Sequence, residues 1–159
     1  MKTLLIMVGI PGSGKSYYAK HHLINKNTAY ISRDEIRFSM ITDEDEYFKK
    51  EKEVFNLFVK EIKEALNNEI FETVIADATH LNWASRNKLL TALGIREGKY
   101  PDLQVIPVMM NTPFNTVIIQ NKYRSGRAYV PISVIRRMSY QITDPKNDPY
   151  KYTEVFYVY

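Results

Sequence analysis

The sequence predicts an α/β fold of three layers, a mostly parallel sheet of about five strands flanked by helices. Short apolar runs alternate along the chain with longer amphipathic ones, as strands joined by helical crossovers do. At 159 residues the length suits a single domain spanning 1–159, and 45% hydrophobic content is enough to fill its core.

The elements follow in order. Thr3 to Val8 reads as a buried first strand, and a helix after Gly14 runs to about His22. Thr28 to Ser32 is a short second strand, with Arg33 to Arg37 on a turn or at the start of a helix. Thr42 with Asp45 three residues on forms a capping-box pattern that would open a long helix to about Asn68. Along it Tyr47, Phe48, Val54, Phe55, Phe58, Ile62 and Leu66 recur at helical spacing, a stripe read as core packing. Thr73 to Ala76 is a third strand ending in Asp77, and Asn82 caps a helix through Leu93. Leu103 to Met109 is a strand and Thr112 to Tyr123 a helix. Pro131 stands as the first residue of a helix reaching about Gln141. Pro145 and Pro149 break the chain before a last strand, Thr153 to Tyr159, whose aromatic residues also suit packing or a dimer contact.

Composition narrows the classes. There is no cysteine, so disulfides and thiolate metal sites are excluded, and a reducing, cytoplasmic setting is expected. No window approaches the ~18 uninterrupted apolar residues of a membrane span. The apolar run after Met1 and Lys2 leads straight into Pro11 and Gly12 with no small-residue cleavage site, so it reads as a strand and not a leader. Lys and Arg total 22 against 18 Asp and Glu, a net charge of +4 that decides little by itself. Its distribution decides more. Leu103 to Thr143 holds no acid, while Lys122, Arg124, Arg127, Arg136 and Arg137 lie within it. Such a stretch is either an anion-attracting field or a solvated basic face.

The strongest motif is Gly9-Ile10-Pro11-Gly12-Ser13-Gly14-Lys15-Ser16, which fits G-x-x-x-x-G-K-[S/T] at every position and stands between a strand and a helix. In such a loop the glycines turn backbone N–H groups inward onto phosphate oxygens. Lys15 bridges the outer phosphates of a nucleoside triphosphate, and the Ser16 hydroxyl ligates Mg²⁺. Asp77, at a strand's carboxyl end, either holds Mg²⁺ through water, orients a neighbouring basic group, or merely ends the strand. His80 reads as a polar loop residue. Asp34 would also lie at the carboxyl edge, where a carboxylate can accept the proton of an attacking hydroxyl. Arg37, three residues on, shares its helical face and suits an anionic acceptor group. Taken alone, the pair is explained better by an N-cap Asp and a surface Arg. Tyr123, Tyr129 and Tyr140, near the basic stretch, either stack on a terminal base or pack half-buried.

The phosphate loop, Ser32-Arg33-Asp34-Glu35-Ile36-Arg37, Ile75 to Asn82 and Gln120 to Pro131 together resemble the kinase module of the phage-type polynucleotide 5′-kinases, in order and spacing over nearly the whole chain. The resemblance implies a P-loop kinase fold, ATP or another nucleoside triphosphate as donor, and Mg²⁺. It implies a nucleic-acid 5′-hydroxyl as acceptor, without an attached phosphatase half. Asp34 would be the general base, Arg37 and Asp77 would serve the acceptor side, and Arg124, secondarily Arg127, would contact donor phosphates from a lid at about 122–131. Ala78-Thr79-His80 and an additional residue near Tyr129 depart from the family pattern. Small P-loop kinases of metabolites share the phosphate loop and an R-D-like motif. A small-molecule hydroxyl kinase and a nucleotide-binding switch protein are therefore the alternative readings.

Overall fold

The computed structural model describes residues 2–42, 45–46, 48–124 and 129–159. Five strands, β1 (Thr3–Val8), β2 (Thr28–Ser32), β3 (Thr73–Asp77), β4 (Gln104–Met110) and β5 (Phe156–Val158), form one sheet in the order β2-β3-β1-β4-β5. Every pairing is parallel. The three central strands are apolar on both faces, as a sheet covered on both sides demands. Alternation along β1 sends Leu4, Ile6 and Val8 into one core and Met7 into another.

The first core is closed by α3 (Glu51–Leu66) and α4 (Trp83–Ala92). Val54, Phe58 and Ile62, four residues apart, lie fully buried on one stripe of α3, and each such side chain contributes ~1.5–3 kcal/mol. Asn82 caps α4 in a reciprocal box with Ser85, their side chains accepting each other's backbone N–H at 3.1 and 3.2 Å. On the opposite face, α1 (Lys15–Tyr18) continues as a π-helical turn, Ala19–Leu23, and buries Ala19 against Met7, Ile75 and Val108. Then α5 (Phe114–Lys122) and α6 (Ile132–Gln141) pack through Val117 and Ile135 into a third cluster with Ile10 and Leu81. Among the described residues no helix is long and apolar enough to cross a membrane.

The last strand is shorter than expected, Phe156–Val158 in place of Thr153 to Tyr159, and two further boundaries differ. Residues 33–40 are a full helix, α2 (Arg33–Met40), capped by the Ser32 side chain, which accepts from Glu35 N–H. The long helix starts at Glu51, not Thr42. The Asp45 carboxylate does take the Thr42 N–H (2.9 Å), but it is also paired with Lys49, and the motif closes a turn without propagating. Of the expected stripe, Phe48 therefore stands outside the helix, and Tyr47 lies outside the described residues.

Candidate active site

Register builds the site. Because β1 pairs in step with β3 and β4, and Ser32 stands opposite Asp77, the chain leaves Val8, Ser32, Asp77 and Met110 along one carboxyl edge. Ligands of open parallel sheets bind at that edge. The loop after β1 is pinned from three sides. Gly9 N–H donates to Thr79 O (3.0 Å), Ser13 N–H to Ile10 O (3.1 Å), and Thr112 Oγ1 to Ser13 O (2.7 Å). Gly12 adopts φ 86°, and a Cβ there would stand 2.8 Å from Val117 O of α5, so a side chain is excluded twice over. No side chain caps α1 after Gly14 (φ 89°), which leaves its first N–H groups directed at the loop's interior. Ser13 Oγ is buried there without a hydrogen-bond partner among the described residues. Such a cradle fits a phosphate.

Ser16 Oγ donates to Asp77 Oδ2 at 2.6 Å, and the Tyr30 hydroxyl donates to the same oxygen. Burial, and then the Asp77 charge and hydrogen bond, push the Tyr30 phenol far above its ordinary range, so it remains a donor. A hydroxyl and a carboxylate this close are hard oxygen ligands suited to Mg²⁺. Among the described residues no cluster of three or more metal-ligating side chains exists, so the remaining ligands would be phosphate oxygens and water, as Mg²⁺ prefers.

A cavity of about 410 Å³ opens beside Lys15, Ser16 and Asp77 and is lined by Asp34, Arg33 and Arg37. Asp34 is in the first turn of α2 and is not its N-cap, a role filled by Ser32. Its Oδ1 accepts from Arg37 Nη1, and its Oδ2 lies 3.8 Å from Arg124 Nη2. Arg37 is no surface charge: it is only 5% exposed and makes two further bonds to Glu51, at 3.1 and 2.7 Å. Arg33 reaches the same Glu51 carboxylate at 2.6 Å. Burial opposes ionisation of Glu51, but the hydrogen bonds and charges of Arg37 and Arg33 outweigh it and hold the carboxyl below its usual range. The same cavity has apolar lining from Ile41, Phe48, Val130, Pro131, Val134 and Met138, with the Phe48 ring centroid 5.7 Å from the Arg37 guanidinium.

The structure thus brings Pro11, Lys15, Ser16, Asp34, Arg37, Asp77 and Arg124 into one cavity. Gly9 and Ser13 support the loop from beneath, while Gly12 and Gly14 line a smaller cleft that Lys15, Ser16 and Arg124 share. Arg127 lies outside the described residues. The segment's ends are fixed: buried Asn121 donates to Val130 O (2.6 Å) and accepts from Val130 N–H (3.2 Å). Of the other basic residues, Arg136 lies over the Phe114 ring, and Lys122 and Arg137 are exposed. Tyr123 (85% exposed) and Tyr140 (84%) are not half-buried packing.

Four residues of the site escaped the sequence reading. Tyr30 had a signal, being two residues before Ser32 on the same strand face. Glu51 had none, since it arrives from a helix of its own. The other two, Arg86 and Asp148, form a fully buried ion pair (2.7 and 2.9 Å) behind the loop that follows β3. Arg86 also donates to His80 O (2.8 Å) and Thr143 Oγ1 (2.9 Å), and Tyr152 O–H donates to Asp148. His80 is a loop residue, as expected, but it is buried at φ 44° with its Nδ1 donating to Met7 O (2.7 Å). Burial drops its imidazole to about 4.

This arrangement of phosphate loop, edge carboxylates and parallel sheet has counterparts. A family model described as AAA domain matches residues 4–145. The chain belongs to that family. Its P-loop kinase-like fold recurs in the "Pnkp1/Rnl/Hen1 RNA repair complex" (TM-score 0.67, 20% identity, 88% of this chain and 43% of that one). It recurs too in a fungal RNA kinase (0.63, 13% identity, 99% and 74%). A gluconokinase from Sinorhizobium meliloti 1021 shares it as well (0.61, 16% identity, 98% and 81%). The chain spans less than half the length of the repair-complex protein. At these identities the likeness concerns the fold. No curated protein matches the sequence significantly.

Proposed function

We propose that this AAA-family chain transfers the γ-phosphoryl group of ATP to the 5′-hydroxyl of a polynucleotide. The observation that carries the reading is the Asp34 carboxylate, set in the same cavity as Lys15 and Ser16 and flanked by Arg37 and Arg124. The attacking hydroxyl oxygen forms the new P–O bond as the bond to the β-phosphate oxygen breaks, ADP leaves, and Asp34 accepts the hydroxyl proton. Lys15 holds the outer phosphates. Arg124, on the segment between α5 and α6, balances charge spreading over the transferred group. Arg37, fixed by Glu51, holds an anionic part of the acceptor. Ser16 and Asp77 would hold Mg²⁺, which when bound neutralises the donor phosphates.

The apolar wall supports a nucleic-acid acceptor over a sugar. Phe48, Val130, Pro131, Val134 and Met138 offer an apolar surface for a nucleobase, which a small polyol would leave unused. The test is transfer of labelled γ-phosphate from ATP to 5′-OH RNA and DNA oligonucleotides. Labelled oligonucleotide is expected, with an acceptor KM that climbs steeply with salt as counterions are released. Absence of oligonucleotide product alongside phosphorylation of a small alcohol would refute the acceptor assignment and leave a small-molecule kinase.

A further inference from the structure

Beside the phosphate loop lies a second, smaller cleft of about 180 Å³, lined by Gly12, Tyr17, Gln120 and, in common with the Asp34 cavity, by Lys15, Ser16 and Arg124. Apart from those three residues the two cavities share no lining. We infer that this cleft receives the nucleoside of the donor triphosphate, with the Tyr17 ring as its stacking wall; the inference rests on the phosphotransferase reading above.

In-line transfer decides the direction. The attacking oxygen and the leaving β-phosphate lie on opposite sides of the transferred phosphorus, so a donor whose γ-phosphate faces Asp34 must carry its nucleoside away from Asp34. The small cleft touches Lys15 and Ser16 without touching Asp34. Its walls then suit a flat heterocycle on a sugar. Tyr17 is 66% exposed, yet its ring is set: it stacks on His21 with centroids 3.9 Å apart and planes 22° from parallel, while His21 Nδ1 donates to Tyr17 O at 2.8 Å. An aromatic face held in place by a second ring gives up little side-chain freedom when a base settles on it. Gln120 and Gly14 line the same cleft, the Gln120 Oε1 lying 3.5 Å from where a Cβ on Gly14 would stand. The Gln120 carboxamide offers both donors and acceptors to a base edge or a ribose hydroxyl. Stacking of this kind tolerates any base, so Tyr17 sets affinity and Gln120 sets what preference there is among donors.

Calorimetric titration of the full chain with ATP and with inorganic tripolyphosphate, each with Mg²⁺, separates the nucleoside's share from the phosphates'. Tyr17→Ala is expected to weaken ATP binding about tenfold and to leave tripolyphosphate within about twofold of the parent, whereas Tyr17→Phe keeps both. Unchanged ATP affinity in Tyr17→Ala would overturn the inference. Equal losses for ATP and tripolyphosphate would also overturn it, since Tyr17 would then merely support the loop. A parent protein that binds neither ligand would overturn the phosphotransferase reading itself, and this inference with it.

Discussion

Replacing Arg86 by alanine is expected to be among the most damaging single substitutions outside the phosphate loop. Its guanidinium is wholly buried and makes four hydrogen bonds, two to Asp148, one to His80 O and one to Thr143 Oγ1. Counting each charge-assisted bond separately would overshoot, because all four share one desolvated cation. The better measure is the uncompensated partner. Alanine leaves the Asp148 carboxylate, 3% exposed, with the Tyr152 hydroxyl as its remaining hydrogen-bond donor from the network, and breaking a buried pair this way costs about 3–5 kcal/mol. For a chain of this size each kcal/mol lowers Tm by about 2–4 °C, so the melting point falls by about 6–20 °C. Urea unfolding followed by fluorescence of Trp83, the sole tryptophan and one helical turn from Arg86, reads the loss directly. The double variant Arg86→Met, Asp148→Leu removes both charges and should recover part of it, the remaining cost being the orphaned His80 and Thr143 oxygens and the Tyr152 hydroxyl, each up to about 1–3 kcal/mol. A single-variant loss below about 1 kcal/mol, or a double variant less stable than the single, would refute the argument that the pair matters through its charge.

Asp34→Asn should lower kcat by about 10²- to 10⁴-fold while calorimetric ATP affinity stays within about twofold; retained kcat would remove Asp34 from the chemistry. Glu51→Gln takes the anion from between Arg33 and Arg37, so acceptor KM should rise by about tenfold with donor KM little changed, and an unaltered acceptor KM would show that the tether is idle. His80 supplies a pH signature. Its folded value of about 4 lies below the ordinary imidazole value, so the stability tied to its neutral form is complete above about pH 6.5 and is lost as pH falls towards 4. His80→Asn keeps a residue tolerant of φ 44° and should flatten urea midpoints across that window; an unchanged slope would assign it to other groups.

How much of this was legible depends on the range of the interaction that fixes each feature. The strands β1, β2 and β3 were readable almost to the residue because each apolar run is stopped by its own next residue, Gly9, Arg33 or the loop after Asp77, and because the parallel pairing leaves no second register that buries them. The phosphate loop was readable for the same reason: Gly9 to Ser16 is contiguous, and the proposed donor contacts are mostly its own backbone N–H groups. Residues 42–50 were misread because a cap signal and a helical stripe are both local. What overrides them is Glu51, whose carboxylate must reach Arg33 and Arg37; it does so from the first turn of α3, and a helix begun at Thr42 would have carried it well past that turn. The acceptor cavity illustrates the general limit. Asp34 comes from α2, Glu51 from α3, Asp77 from β3, Arg124 from beyond α5 and Met138 from α6, so its polarity is a property of the packed elements. One consequence concerns the basic stretch: of its five positive charges, Arg124 lies near the Asp34 carboxylate, Arg136 lies on Phe114, Lys122 and Arg137 turn to solvent, and Arg127 is outside the described residues. Charge density along the chain therefore pointed only to an anionic ligand or a solvated face, whereas the proposed acceptor class is argued from apolar lining that no single segment encodes.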